Sequence, residues 1–173
     1  MTRIAIALAA AALIAAAGAA AKSALQDPAL HGYVAKVDGQ IRSYGGLLRR
    51  FEQLYAEPPH VNVDPFVEDR YALADRFERL NARWSDIRAT GGLRLRHHGM
   101  GRVFELFAEA IRIQAAAIFT RHPEEVLAAQ GRIEPFFRSA TYLQQRWARA
   151  LRGALIRADM NLPSWLHGMA KRS

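Results

Sequence analysis

The chain has 173 residues, no cysteine and a formal net charge of +8, from 24 Lys and Arg against 16 Asp and Glu. This length fits one domain that buries a core without disulfides or a structural metal. The lack of cysteine excludes a disulfide scaffold, a thiolate metal site and a cysteine nucleophile. The hydrophobic fraction of 51% excludes a chain that is disordered throughout.

The N-terminus carries an uncharged apolar run over residues 4–21, IAIALAAAALIAAAGAAA, between Arg3 and Lys22. Its length is at the lower limit for crossing a bilayer. Ala19 and Ala21 match the small residues that precede a signal-peptidase cut. We therefore predict that residues 1–21 are a signal peptide or a transmembrane anchor. The alternative is a buried alanine-rich helix of a soluble protein. The predicted location is the inner membrane, single-pass with a periplasmic domain; secretion to the periplasm after cleavage near Ala21 is the alternative.

The first helix after this run is expected to begin at Asp27 and Pro28 and to end by Glu57, before two prolines. Gly45 and Gly46 are expected to bend or weaken it. Its apolar residues follow a heptad spacing: Leu30, Val34, Val37, Ile41, Tyr44, Leu48, Phe51 and Tyr55.

The second helix is expected to open on Asp64 and to end at Gly91 and Gly92. An outward pair of Asp75 with Arg79 fits the i,i+4 spacing. Its heptad-spaced residues are Phe66, Leu73, Phe77, Leu80, Trp84 and Ile87, with Arg70 in the one vacant position. Two such helices joined by a short connection predict an antiparallel hairpin.

The third helix is predicted from about Gly101 to Thr120, and Gln114 is the one polar residue on its broad apolar face. The fourth is predicted to start at His122, to kink or restart at Pro135 and to end at residues 161–163. Its inner stripe is Phe136, Ala140, Leu143, Trp147, Leu151, Ala154 and Ala158. The predicted class is all-α: a signal or anchor helix (1–21), an antiparallel four-helix bundle (22–162) and a basic amphipathic tail (163–173).

The positive charge lies in the second half of the chain. Residues 91–173 hold thirteen basic and six acidic side chains, a net charge of +7. On the fourth helix, Arg138, Arg149 and Arg152 lie opposite Trp147, which predicts an outward face for an anion or a partner. The alternative is an ordinary solvated helix face.

Two further groups are candidates for binding. One is a predicted loop cluster before the third helix, made of Arg94, Arg96, His97 and His98. The other is the tail, whose candidate membrane or partner residues are Trp165, Leu166, Lys171 and Arg172. Docking of the tail on the bundle is the alternative.

No motif predicts a catalytic residue, a metal site or a cofactor. The single Glu57-x-x-His60 element is one half of what a di-iron bundle needs, and no histidine falls on a predicted apolar seam. The sequence therefore favours a non-enzymatic, membrane-tethered helical protein that serves as a subunit or accessory factor of a cell-envelope assembly.

The partners expected from this interpretation are the membrane, other protein subunits and anionic lipid. Nucleic acid is the weakest candidate, because no recognition pattern is present. The alternative function is a periplasmic ligand-binding or sensory bundle with a pocket near Gln114.

Overall fold

The computed structural model describes residues 27–56 and 63–170, and every regular element within them is helical. The elements are α1 (Pro28–Ala56), α2 (Val63–Ser85), α3 (Arg94–Phe119), α4 (Pro123–Arg157) and the short α5 (Ser164–Ala170), with a 3-10 turn at Gly91–Leu93. The prediction of an all-α chain with four long helices is confirmed. The predicted signal or anchor helix lies outside the described residues. None of the helices that the structure describes is both long and apolar enough to cross a membrane.

The first and fourth helices begin where the sequence predicts. The Asp27 Oδ1 atom accepts a hydrogen bond of 2.9 Å from the Leu30 amide, which satisfies a free N–H at the start of α1. Pro123 occupies the first turn of α4, where its missing N–H costs nothing. The glycine pair Gly45–Gly46 does not interrupt α1.

The boundary between the second and third helices was predicted wrongly. Helix α2 ends at Ser85 rather than at the glycines, and α3 begins at Arg94 rather than near Gly101. The Trp84 carbonyl accepts hydrogen bonds from the Ile87 amide and from the His97 ring, so it is engaged in a turn and a tertiary contact.

The end of the chain also differs from the prediction. Helix α4 continues through Pro135 without a restart and ends at Arg157, where Asp159 takes a left-handed conformation. Within the predicted amphipathic tail, residues 164–170 form the short helix α5.

Helix α3 packs against both α2 and α4, and α1 reaches α3 and α4 through large aromatic side chains. At the centre, Tyr44 meets the rings of Phe104 and Phe107 edge-on, and Phe77 stacks on Phe107 with centroids 5.2 Å apart. Such ring pairs stabilise a core by about 1 kcal/mol each beyond the area that they bury. Gly101 lets α3 approach α2 closely, because a Cβ there would lie 2.9 Å from Asn81 Oδ1.

The heptad positions predicted for α2 are all buried, including Arg70. On α1, Tyr33 and Leu54 are buried, whereas the predicted Val34 and Tyr55 are half-buried. The predicted outward pair of Asp75 with Arg79 is absent from the described ion pairs, since Asp75 binds Arg112 of α3 at 2.8 Å. Arg112 also binds Glu78, and this bond lowers the pKa of the Glu78 carboxyl.

Candidate functional site

The α4 arginine face consists of five exposed residues on the outer side of α4: Arg138, Tyr142, Arg149, Arg152 and Ile156. Their spacings of four, seven, three and four residues place them on one side of a helix, over a length of about 27 Å. Tyr142 and Ile156 are among the large apolar side chains that the structure leaves exposed, at 56% and 58%. The sequence prediction included the three arginines of this row and missed its two apolar members.

The C-terminal half of α4 is strongly positive. Residues 136–158 contain five arginines and no Asp or Glu. Arg138 reaches back to Glu134 at 2.7 Å, and Arg149 makes a long 3.5 Å contact with Gln145. The guanidinium of Arg146, beside the row, lies 5.2 Å from the centre of the Tyr142 ring. The charge excess therefore increases towards the C-terminal end of α4.

The first turns of α1 lie beside this end of α4. Trp147 Nε1 donates a hydrogen bond to the Tyr33 hydroxyl at 2.9 Å, and Trp165 Nε1 donates to Asp38 Oδ1 at 2.8 Å. The described part of the chain consequently begins next to the arginine-rich half of α4.

The loop predicted for Arg94, Arg96, His97 and His98 is wrong, because residues 94–98 form the first turns of α3. Arg94 and His98 are exposed and Arg96 is half-buried, whereas His97 is 3% exposed. An adjacent pair of histidines diverges by about 100° on a helix. The helix therefore directs one histidine into the core and the other to solvent.

We call Tyr33, Trp84, His97 and Trp147 the histidine cluster. The Trp84 and His97 rings stack with centroids 4.6 Å apart, and each side chain bonds to the other residue's carbonyl, at 2.9 and 3.0 Å. The Tyr33 hydroxyl lies 3.0 Å from His97 Nδ1 and accepts the Trp147 N–H. Four helical segments are joined by one set of polar contacts.

The hydrogen-bond partners assign the proton of His97. A carbonyl only accepts, so Nε2 carries the proton, and Nδ1 accepts the hydroxyl proton of Tyr33. Burial lowers the pKa of His97, and it raises the pKa of Tyr33 to about 12. Both groups are thus held neutral, and both ring nitrogens of His97 are already engaged.

The predicted membrane or partner tail is divided by the structure. Trp165 and Leu166 are buried, and Trp165 stacks on Trp147 at 5.8 Å. These two residues dock on the bundle, because their apolar surface packs against its core there. Lys171 and Arg172 lie outside the described residues.

Buried polar groups also occur at the opposite end of the bundle, near the C-termini of α1 and α3. Arg70 is 3% exposed, donates to the carbonyls of Leu54 and Phe66, and lies over the Phe66 ring. The Tyr55 hydroxyl and Gln114 Oε1 are buried without a hydrogen-bond partner among the described residues.

No three His, Asp or Glu side chains within 27–56 and 63–170 are placed to hold a metal ion. Comparison with known proteins gives no match: no family model fits the chain, and no curated protein or solved structure is significantly similar to it.

Proposed function

We propose that the protein is a non-enzymatic, membrane-tethered module, an antiparallel four-helix bundle that serves as a subunit or accessory factor of a cell-envelope assembly. In this proposal residues 1–21 are the tether, and the bundle faces the periplasm. The observation that carries the proposal is the α4 arginine face, which is exposed, strongly positive and adjacent to the start of α1.

The buried titratable groups support a structural role rather than chemistry. His97 engages both ring nitrogens within the core, and Arg70 is bound to backbone carbonyls. A general base or a metal ligand needs a nitrogen that can reach a substrate or an ion. The outer surface is therefore where we place the function.

Membrane fractionation followed by mild detergent extraction tests this proposal. We expect the full chain in the membrane fraction with Met1 or a residue near it as the N-terminus, and a stoichiometric protein partner after crosslinking and purification. A chain that begins at Lys22 in the soluble periplasmic fraction would contradict the tether. A monodisperse monomer without any partner would contradict the role as a subunit.

A second candidate function is a ligand-binding or sensory bundle, and Gln114 is the observation that favours it. Its side-chain oxygen is buried, in a residue that is 7% exposed, and accepts no hydrogen bond from the described residues. A small ligand with a donor group would satisfy that oxygen. If such a ligand exists, native mass spectrometry of the purified protein should show a bound mass that Gln114→Leu abolishes.

A further inference from the structure

We infer that the α4 arginine face binds the headgroups of anionic phospholipids at a bilayer surface. This inference rests on the proposed function, which supplies the membrane tether, and it adds a binding partner for one surface of the bundle. It concerns Arg138, Tyr142, Arg149, Arg152 and Ile156, all exposed.

The first argument is the residue types in the row. Arginines alternate with an aromatic and an aliphatic side chain, so one side of α4 offers both cations and apolar groups. Guanidinium groups bind phosphate oxygens through paired N–H donors. Tyrosine and isoleucine at the same level can enter the boundary between headgroups and acyl chains.

The second argument is the sign and distribution of the charge. No acid stands between residues 136 and 158 to repel a phosphate, and Arg157 extends the positive region to the end of α4. Each basic side chain beside an anionic leaflet strengthens binding by about fivefold. Arg149 and Arg152 together should therefore account for about 25-fold.

The third argument is position. The hydrogen bonds of Tyr33 with Trp147 and of Asp38 with Trp165 fix the start of α1 beside the C-terminal half of α4. Five residues, 22–26, separate the apolar run from the described part of α1. They span at most about 18 Å when extended. In a tethered bundle the C-terminal half of α4 is thus close to the bilayer, which favours lipid over a distant acidic protein as the partner of its outer side.

The chain lacks cysteine, so a single introduced cysteine takes a label at one site. We would label the full chain at Ile156→Cys with a polarity-sensitive fluorophore and add vesicles of phosphatidylcholine, alone or with 30% phosphatidylglycerol. We expect a blue shift only with the anionic vesicles, reversed by about 0.5 M salt. A label at Ala72→Cys, exposed on α2, should not shift.

The matched variants remove two arginines each. R149Q/R152Q should lower the ratio of bound to unbound label by about 25-fold, whereas R79Q/R83Q, two exposed arginines of α2, should leave it unchanged. Unchanged circular dichroism would establish that both variants fold.

Three results would overturn the inference. They are equal fluorescence shifts with neutral and anionic vesicles, equal losses of binding in the two double variants, or no shift of the label at residue 156 when the protein is bound to anionic vesicles. A shift with soluble polyglutamate but not with anionic vesicles would also overturn it, and would assign the face to an acidic protein. Failure of the tether is separate, because it appears as a chain that does not float with neutral vesicles. An untethered chain would still show the shift with anionic vesicles if the inference is right.

Discussion

The two ends of the bundle both bury polar side chains among aromatic rings, but they satisfy them differently. In the histidine cluster, the donors and acceptors of Tyr33, His97 and the two tryptophans are matched to one another. At the opposite end, Tyr55 and Gln114 each bury an oxygen without a partner among the described residues. A buried polar group stabilises a fold only when it is bonded, and an unbonded one costs about 1–3 kcal/mol. The first end should therefore fix the arrangement of the helices, and the second should tolerate changes of Tyr55 and Gln114.

The largest expected effect comes from Tyr33→Phe. This change leaves the Trp147 N–H and His97 Nδ1 buried without partners, so the free energy of unfolding should fall by about 3 kcal/mol. Urea denaturation followed by tryptophan fluorescence measures it.

The matched control is Tyr55→Phe, which removes a buried hydroxyl without a partner among the described residues. The free energy of unfolding should not fall, and should rise by up to about 1 kcal/mol. Equal losses in the two variants would show that the two ends do not differ as described.

Arg70→Met tests whether the opposite end has any polar contact on which stability depends. The guanidinium bonds to the last turn of α1 and covers the Phe66 ring at 3.5 Å, so its loss should cost about 2 kcal/mol. Arg76→Met, on the exposed side of α2, should be neutral. A neutral Arg70→Met in the same denaturation assay would contradict this role.

The histidine cluster should also give the stability a pH dependence. The pKa of His97 is lowered in the folded state, so the folded chain binds fewer protons than the unfolded chain below about pH 6.5. The stability of the folded chain is therefore unaffected by His97 protonation well above pH 6.5. It falls as the pH drops through the pKa that His97 has in the unfolded chain towards its lower pKa in the folded chain. The loss is about 1.4 kcal/mol for each unit of depression.

Thermal midpoints between pH 7.5 and 5 measure this effect. His97→Gln should be less stable at pH 7.5 but should show a flatter profile, while His98→Gln, which alters an exposed histidine, should retain the slope. A wild-type profile that is flat over this range would rule out the assigned protonation state.

The smallest expected effect is a gain. In Gln114, the buried amide oxygen has no hydrogen-bond partner among the described residues. The change Gln114→Leu puts an apolar side chain of similar size in its place, so the free energy of unfolding should rise by about 0.5–1 kcal/mol. Differential scanning calorimetry would detect it. A loss of more than about 1 kcal/mol would mean that the amide is bonded, as a bound ligand would require.

The sequence predicted the helices well where periodicity is regular. The heptad seam of α2, with Arg70 in its vacant position, is buried as a row, and Asp27 and Pro123 mark helix starts. The prediction failed at residues 86–98, because the glycines at 91 and 92 resemble a C-cap. The tertiary bonds of Trp84 end α2 before them, and no local pattern encodes those bonds.

For the candidate sites too, the sequence predicted the features that depend on local helix geometry and missed those that depend on tertiary contacts. The outward position of Arg138, Arg149 and Arg152 followed from helix geometry alone, and the structure leaves all three exposed. The burial of His97 could not be predicted, because it depends on Tyr33, more than 60 residues away along the chain. For Trp165 the sequence left docking and membrane contact open, and the bond to the distant Asp38 decides for docking.

The amino-acid sequence by itself determined the all-helical class, the number of long helices and the concentration of positive charge in the second half of the chain. These properties depend on side-chain periodicity and composition, which are local. Only the tertiary structure decided which buried polar groups find a hydrogen-bond partner, which way the two adjacent histidines face, and that the start of α1 lies beside the arginine-rich end of α4. Those features depend on hydrogen bonds and ring contacts between residues distant in the chain, so they exist only once the helices have packed.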